Sequence, residues 1–450
     1  LRRKNIFIAL ILIGCSCFAV SFTCPARAAG LPAKDMHFLQ QLTADVLEQS
    51  RVRIGQGIDG FGKNTTGGTL IRPGGRSCYP AFWIRDYAMS LECGMISQQE
   101  QKHALLLTAA KQQNNDWHTP TGSLVPRGAI PDHINLDGSP IFFPGTYDFN
   151  AQGGPSWGKL PSLDDHFFFI HMAWYYVAAC QDTAILESEI NGKKLIEKLD
   201  LAFQVPPSDP KTDLVLVSKE NRGVSFGFMD SVEHTGNLLF CSLLKWRAAR
   251  ELAELHMKLG QEDKKKYYDQ IASTIKKNIP IVFPSSRGLL TASSGKSSQP
   301  CVWGSAFAVY IDALEPDQAN EVGQALARAY RQGTLSYLGN IRHIRTDDDF
   351  SEKTAWENTV INVAKNRYQN GAYWNTSTGW VCYAIAQVDK PLALKLAQEY
   401  ISELREGDFR KGEKYGSPWE CIHPNGNYKQ NAVYLTSVTC PLTAFRKLHW

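Results

Sequence analysis

The sequence predicts an all-α chain folded as an (α/α)6 toroid, and two patterns carry that expectation. Apolar residues recur at helical spacing along nearly the whole chain. Helical segments also come in consecutive pairs joined by only a few residues, which makes antiparallel αα-hairpins. Longer irregular stretches separate the pairs, so a ring of about six hairpins fits better than a bundle. No repeated motif and no shift in composition marks a solenoid or a second domain.

In order, Ala33 to Val52 places Phe38, Leu39, Leu42, Val46 and Leu47 on one helical face, and Asp86 to about Gln112 reads as a second helix. Between Asn114 and Pro161 lies a long stretch rich in Gly, Pro and Asn; a loop of that length is usually functional, here as one wall of a cleft. Asp164 and Asp165 cap a helix to about Gln181, with Thr183 to Phe203 as its partner. Leu214 to Val217, before a turn at Glu220 to Gly223, has the β-branched character of a small hairpin. Further helices are expected over Thr235 to Leu259, Glu262 to Asn278, Val302 to Leu314, Pro316 to Gln332, Thr354 to Ala364, Ser377 to Val388, Lys390 to Arg405 and Asn431 to Leu448.

Residues 1–28 have the form of an export signal: Arg2, Arg3 and Lys4, an apolar run from Ile6 to Phe22, then Ala26-Arg27-Ala28 before Ala29. Leu12-Ile13-Gly14-Cys15 offers the alternative of a lipoprotein site with Cys15 acylated and the product tethered to a membrane. Residues 29–450 are then one catalytic domain, periplasmic or extracellular. No second apolar stretch is long enough to span a bilayer. The formal charge is +4, and four of the basic residues lie in the leader, so the remainder is close to neutral and nucleic acid is not an expected partner. Three of the 11 cysteines (Cys15, Cys17, Cys24) also lie there. The remaining even number permits disulfides in an exported chain, although Cys180, Cys241 and Cys382 sit in apolar helical patterns that suit buried thiols. There is no C-x-x-C pair, metal-binding histidine pattern, phosphate loop or serine-hydrolase elbow, so neither a metal nor a cofactor is expected.

In such a ring the inter-hairpin loops share one mouth, and acids on those loops are the candidates for chemistry. The segment RPGGRSCYPAFWIRDY from Arg72 joins a glycine turn to Phe82 and Trp83 and then to Arg85 and Asp86, with Arg76 in the turn. Aromatic faces beside an Arg/Asp pair suit a sugar, which stacks on rings and hydrogen-bonds through its hydroxyls. Asp86 as a simple helix cap is the plain alternative. Asp230, in SFGFMDSVEH, is packed among glycine and aromatics, which raises the proton affinity of a carboxyl as a general acid requires. As a cap, it would instead pair with Glu233 at the third helical position. Glu420 follows Trp419 in the Pro-bracketed SPWECIHPNG. Asp165 is a cap within reach of a hydroxyl, Trp374 and Trp380 flank glycines as stacking platforms or core, and Glu357, with Glu233, is a reserve acid. Two carboxyls flanking the glycosidic bond are the minimum for hydrolysis.

In their order along the chain these motifs resemble the six-hairpin glycosidases, in particular the trehalase and processing α-glucosidase families. PGGR followed by FWIRDY resembles the early trehalase signature, and FGFMDS the segment whose Asp is the general acid, a role the resemblance gives to Asp230. QNGAYW with Gly379-Trp380 resembles the glycine-Trp loop before a late helix, and PWECIHPNG the segment carrying the general base, which falls on Glu420. The resemblance implies an inverting hydrolase of an α-linked oligosaccharide. Ser77-Cys78-Tyr79 stands where trehalases carry a Glu, and their second signature is missing, which argues against trehalose. The rival readings are a non-catalytic carbohydrate-binding protein, and a polysaccharide lyase drawing its base from Tyr87, His118 or His234.

Overall fold

A computed structural model describes residues 30–450 except 77, 120–121, 144–157, 222, 224–226, 296 and 349–362. The expected leader with Cys15, the reserve acid Glu357 and most of the helix expected from Thr354 lie outside the described residues. Residues 31–450 form one compact unit. Its helices are α1 (Ala33–Ser50), α2 (Ile84–Ser90), α3 (Gln98–Lys111), α4 (Asp165–Cys180), α5 (Leu195–Gln204) and α6 (Leu239–Lys258). They continue as α7 (Glu262–Val282), α8 (Val302–Tyr310), α9 (Pro316–Arg331), α10 (Thr378–Ala386), α11 (Lys390–Gly407) and α12 (Thr436–Lys447).

The even-numbered helices form a closed inner ring. Each packs on the next, from α2 through α4, α6, α8 and α10 to α12, and α12 packs back on α2. Odd-numbered helices flank them from outside, for example α7 on α6, α11 on α10 and α1 on α12. Sequence accounts for the two layers. Every residue of α8 (VWGSAFAVY) is buried, as a helix enclosed by neighbours requires, whereas α9 buries one stripe, including Val322, Leu326 and Tyr330, and faces water elsewhere. On the ring axis Met89, Phe168, Arg247, Phe307, Trp380 and Cys440, one from each inner helix, enclose a void of only about 20 Å³, so the barrel is filled rather than hollow.

The ring is closed by the glycine turn. Leu435 N donates to Pro73 O at 2.7 Å and Gly75 N to Val433 O at 2.9 Å, joining the first inter-hairpin loop to the last. Both glycines are required by close approach: a Cβ on Gly74 would stand 2.0 Å from the Cys78 sulfur, and one on Gly75 2.7 Å from Gln49 Cβ.

Several expected elements differ. The helix expected from Asp86 to Gln112 breaks at Gly94, whose φ of 70° ends a short 3₁₀ turn, and restarts at α3 behind a Ser97/Glu100 capping box. Thr183 to Phe203 divides into a 3₁₀ turn, a hairpin of Glu189–Ile190 with Lys193–Lys194, and α5. Leu216–Val217 pairs with Gly236–Asn237 rather than forming a local hairpin, and that pairing delays α6 to Leu239. The largest addition is a five-stranded antiparallel sheet of β1 (Ser336–Tyr337), β2 (Asn340–Arg342), β3 (Tyr373–Trp374), β4 (Trp419–His423) and β5 (Tyr428–Ala432) in that order. It is made from the loops before α10 and α12, and β5 takes the residues expected to begin the last helix. Among the described residues no helix is long and apolar enough to cross a membrane.

Candidate active site

The segments entering the inner helices converge at one mouth of the ring. Arg85 and Asp86 lie in the first turn of α2, Asp165 opens α4 behind Asp164, Asp230 precedes α6, and Glu420 sits on β4 ahead of α12. Helix amino termini carry unpaired N–H groups and a positive dipole end, which favours gathering acids there.

Arg85 is the hub. Its Nε donates to Asp164 Oδ2 at 2.5 Å, Nη2 to Asp164 Oδ1 at 3.2 Å, and Nη1 to Asp230 Oδ2 at 2.9 Å. Burial opposes its charge, but Asp164 and Asp230 outweigh burial and hold the guanidinium protonated. Asp230 Oδ2 also accepts Gln369 Nε2 at 2.9 Å, while Gln369 Oε1 takes Ser231 N at 2.6 Å, so one buried amide fixes both the carboxyl and its loop. Asp230 Oδ1 has no hydrogen-bond partner among the described residues. Desolvation raises the Asp230 proton affinity, and Arg85 restrains the rise.

Glu420 is fully buried and held by neutral donors. Tyr79 OH donates to Oε1 at 2.7 Å and Asn431 Nδ2 to Oε2 at 2.5 Å. Asn431 has φ 47°, a left-handed conformation that Asn tolerates better than most side chains and that sets its amide over the acid. Burial lifts the Glu420 pKa to about 8, with Asp86 adding to the rise. Asp86 accepts Tyr434 OH at 2.7 Å and is itself raised by burial to about 7. The phenols knit the acids together: Tyr79 OH and Tyr368 OH are 3.1 Å apart, and Tyr368 feels both Glu420 and Asp230.

One wall is aromatic. Trp83 stacks on His133 with centroids 4.1 Å apart and meets the Tyr79 ring edge-on at 5.1 Å. The His133 Nδ1 is 2.7 Å from Asp132 Oδ2, which fixes the ring behind Trp83. Asp165 is fully buried, neither of its oxygens has a hydrogen-bond partner among the described residues, and burial beside Asp164 and Asp132 pushes its pKa well up.

Of the expected site residues, Trp83, Arg85, Asp86, Asp165, Asp230 and Glu420 therefore fall in one cluster. The others lie elsewhere. Phe82 is core, packed on Tyr87 at 5.0 Å. Arg76 donates to the carbonyls of Glu413 and Phe409 and so holds a neighbouring loop. Trp374 is enclosed by Phe228 and Trp303, and Trp380 lies on the ring axis beside Phe307, so both rings serve packing rather than stacking on a ligand. Trp419 is turned away from Glu420 by the alternation of β4. Glu233 is in the loop before α6, and with that helix starting at Leu239 neither it nor Asp230 caps it. Tyr87 OH points to Glu100 O, and His118 is exposed on a separate short strand.

Tyr79 belongs to the aromatic patch that follows the glycine turn in the sequence. Tyr368, Gln369, Asn431 and Tyr434 were not among the expected residues, although Gln369 opens the QNGAYW motif; the roles of Asn431 and Tyr434 arise only from sheet formation and ring closure. Among the described residues no group of three or more His, Cys, Asp or Glu is arranged to hold a metal ion.

No family model matches the sequence, and no curated protein matches it significantly. Solved structures do match its fold. A glucoamylase from Saccharomycopsis fibuligera superposes with a TM-score of 0.59 at 11% identity, covering 94% of this chain and 97% of that one. A substituted form of a glycosidase in complex with glucose gives 0.54 at 13% identity, covering 93% and 99%. A GH63 mannosylglycerate hydrolase from Thermus thermophilus, also in complex with glucose, gives 0.53 at 13%, covering 90% and 99%. The chain thus has the six-hairpin (α/α)6 toroid fold found in these glycosidases.

Proposed function

We propose that the chain is a glycoside hydrolase that cleaves an α-linked oligosaccharide by inverting single displacement. The observation that carries this reading is the pair of desolvated carboxyls, Asp230 and Glu420, presented by separate loops at one mouth and joined through Tyr79 and Tyr368. Trp83 offers a stacking face, and Arg85 and Asp86 grip the glycone through its hydroxyls. One carboxyl protonates the leaving oxygen while the other takes a proton from the attacking water. The resemblance read from the sequence makes Asp230 the acid and Glu420 the base. The glucose complexes of two fold neighbours support a hexose as the kind of sugar bound.

The electrostatics favour a second assignment. Glu420, raised to about 8 among neutral donors, holds a proton at neutral pH, whereas Asp230 shares a guanidinium. By that measure Glu420 is the acid. Hydrolysis by residues 29–450 of a panel of oligosaccharides, with product anomers followed by NMR, tests the activity and its stereochemistry. Asp230→Asn and Glu420→Gln should each abolish turnover of the natural linkage. A glycosyl fluoride, whose leaving group requires no proton, restores turnover only in the variant that has lost the acid. Full activity in either variant, or a retained anomer, refutes the pair.

The leader-like segment supports export of the mature domain. Sequencing the amino terminus of the processed protein separates a product starting at Ala29 from one acylated at Cys15.

A further inference from the structure

The strand that carries Glu420 has a second face. Beside Glu420, Trp419 lines a groove of about 290 Å³ whose walls come from the β1–β2 turn, the end of α11, the loop before β4, and β5. Tyr337, Leu338, Tyr415 and Tyr428 supply aromatic and apolar surface, with Leu338 47% and Tyr415 40% exposed. Between these rings stand polar heads of both kinds: Lys414 and Lys429 as donors, Glu403 and Glu406 as acceptors. The Lys429 amine lies 5.7 Å from the Trp419 ring centroid, and Gly416 packs against the same ring so closely that a Cβ would stand 2.3 Å from it. Glu403 is more than nine-tenths buried; its Oε1 accepts Ser417 Oγ, and Asn375 also stabilises the carboxylate.

We propose that this outer groove is a second carbohydrate-binding site, separate from the mouth of the ring, that takes one or two sugar units of an oligosaccharide. A docking helix would require a continuous apolar stripe, which rings interrupted by lysines and glutamates do not offer. A sugar has both an apolar C–H face and hydroxyls that donate and accept, and it matches this alternation. The volume lies at the lower end of small-molecule sites, which are roughly 300–1,000 Å³. The choice of ligand class rests on the glycosidase reading above. Through β4 the groove adjoins the inward-facing Glu420, so a chain held there is kept beside the enzyme between encounters at the mouth.

Calorimetric titration of the full chain bearing Glu420→Gln, in which turnover is blocked, tests this. The probes are maltoheptaose and a β-linked hexasaccharide of similar length. The proposal expects two equivalents of one probe. Adding Tyr415→Ala with Leu338→Ala should remove one equivalent or weaken it at least about tenfold, and Tyr415→Phe should retain it. Replacing Arg85 by Met should remove only the other equivalent. One equivalent unaffected by the Tyr415→Ala pair, with hydrolysis of the same sugar established, refutes the groove and leaves the glycosidase reading intact. Binding of neither probe, together with no hydrolysis, refutes both. Because Tyr415 and Leu338 are exposed, unchanged thermal melting of the variant identifies loss of binding as local.

Discussion

Asp230 and Glu420 are both desolvated carboxyls delivered by loops ahead of inner helices, yet they are stabilised by opposite means. Asp230 shares a buried guanidinium with Asp164 and accepts one amide, whereas Glu420 is held by neutral groups, the phenols Tyr79 and Tyr434 and the Asn431 amide. A cation stabilises the ionised form strongly, and neutral donors do so only in part. Arg85 thus restrains the rise at Asp230, while burial lifts Glu420 to about 8; an acid and a base in one site require environments that separate their affinities. The comparison therefore bears directly on the acid and base roles proposed for the pair.

The largest effect comes from removing either member. Asp230→Asn and Glu420→Gln should each lower kcat about 10²–10⁴-fold, the usual range for a general acid or base, in steady-state assays. Deleting the cation erases the contrast itself. Arg85→Met leaves Asp164 and Asp230 without their counter-charge, and should cost about 3–5 kcal/mol in denaturant unfolding at neutral pH. In the same variant the ionisation of Asp230 should move up towards that of Glu420, seen as a shifted limb of the pH profile of kcat/KM.

The environment of Glu420 has a signature in stability. Its folded pKa of about 8 lies above the ordinary 4.5 of the unfolded chain, so folding favours the protonated form. The stability benefit of that proton is complete below about 4.5, declines as pH rises, and is gone above about 8. Gln cannot ionise. Glu420→Gln should therefore match the parent at pH 4 and exceed it by roughly 2–4 kcal/mol at pH 9, after allowing for weakened hydrogen bonds. Urea titrations at the two pH values measure this directly. The smallest effect is expected for Tyr79→Phe, which removes one neutral donor: Glu420 should bind its proton more tightly, and the limb of the pH profile assigned to it should move up by less than about one unit.

What could be read from the sequence was whatever is encoded locally. The boundaries of α1, α4, α9 and α11 follow from periodicity, helped by side-chain caps only at α9 and α11, since Asp164 turns its carboxyl to Arg85 instead of capping α4; acids framed by glycine and aromatics, such as Asp86, Asp230 and Glu420, stand out as one-dimensional motifs. The five-stranded sheet did not, because its strands are two to five residues long and come from loops far apart in the chain. Its side chains were lost with it: Asn431 meets Glu420 only across β4 and β5, and Tyr434 reaches Asp86 only where the ring closes. The tryptophans misled for a related reason. A ring beside glycine serves a core as readily as a ligand, and Trp374 and Trp380 went to the core, while the alternation of β4 sent Trp419 to the opposite face from its neighbour.

The bonds between the glycine turn at 73–75 and residues 433–435 have a consequence for how the protein is made. Tyr79 and Asp86 lie near the start of the domain, while Glu420 and Tyr434 lie near its end. During synthesis the emerging hairpins form only an open arc, with α4 on one side of α2 and nothing on the other, until α12 arrives. The pocket is therefore absent from every shorter nascent chain and appears in the final step of folding, when the most distant contacts close, the kind of contact that makes folding slow. A ribosome-bound fragment can hold five hairpins and still lack the acid cluster, which is complete only when the ends of the ring meet.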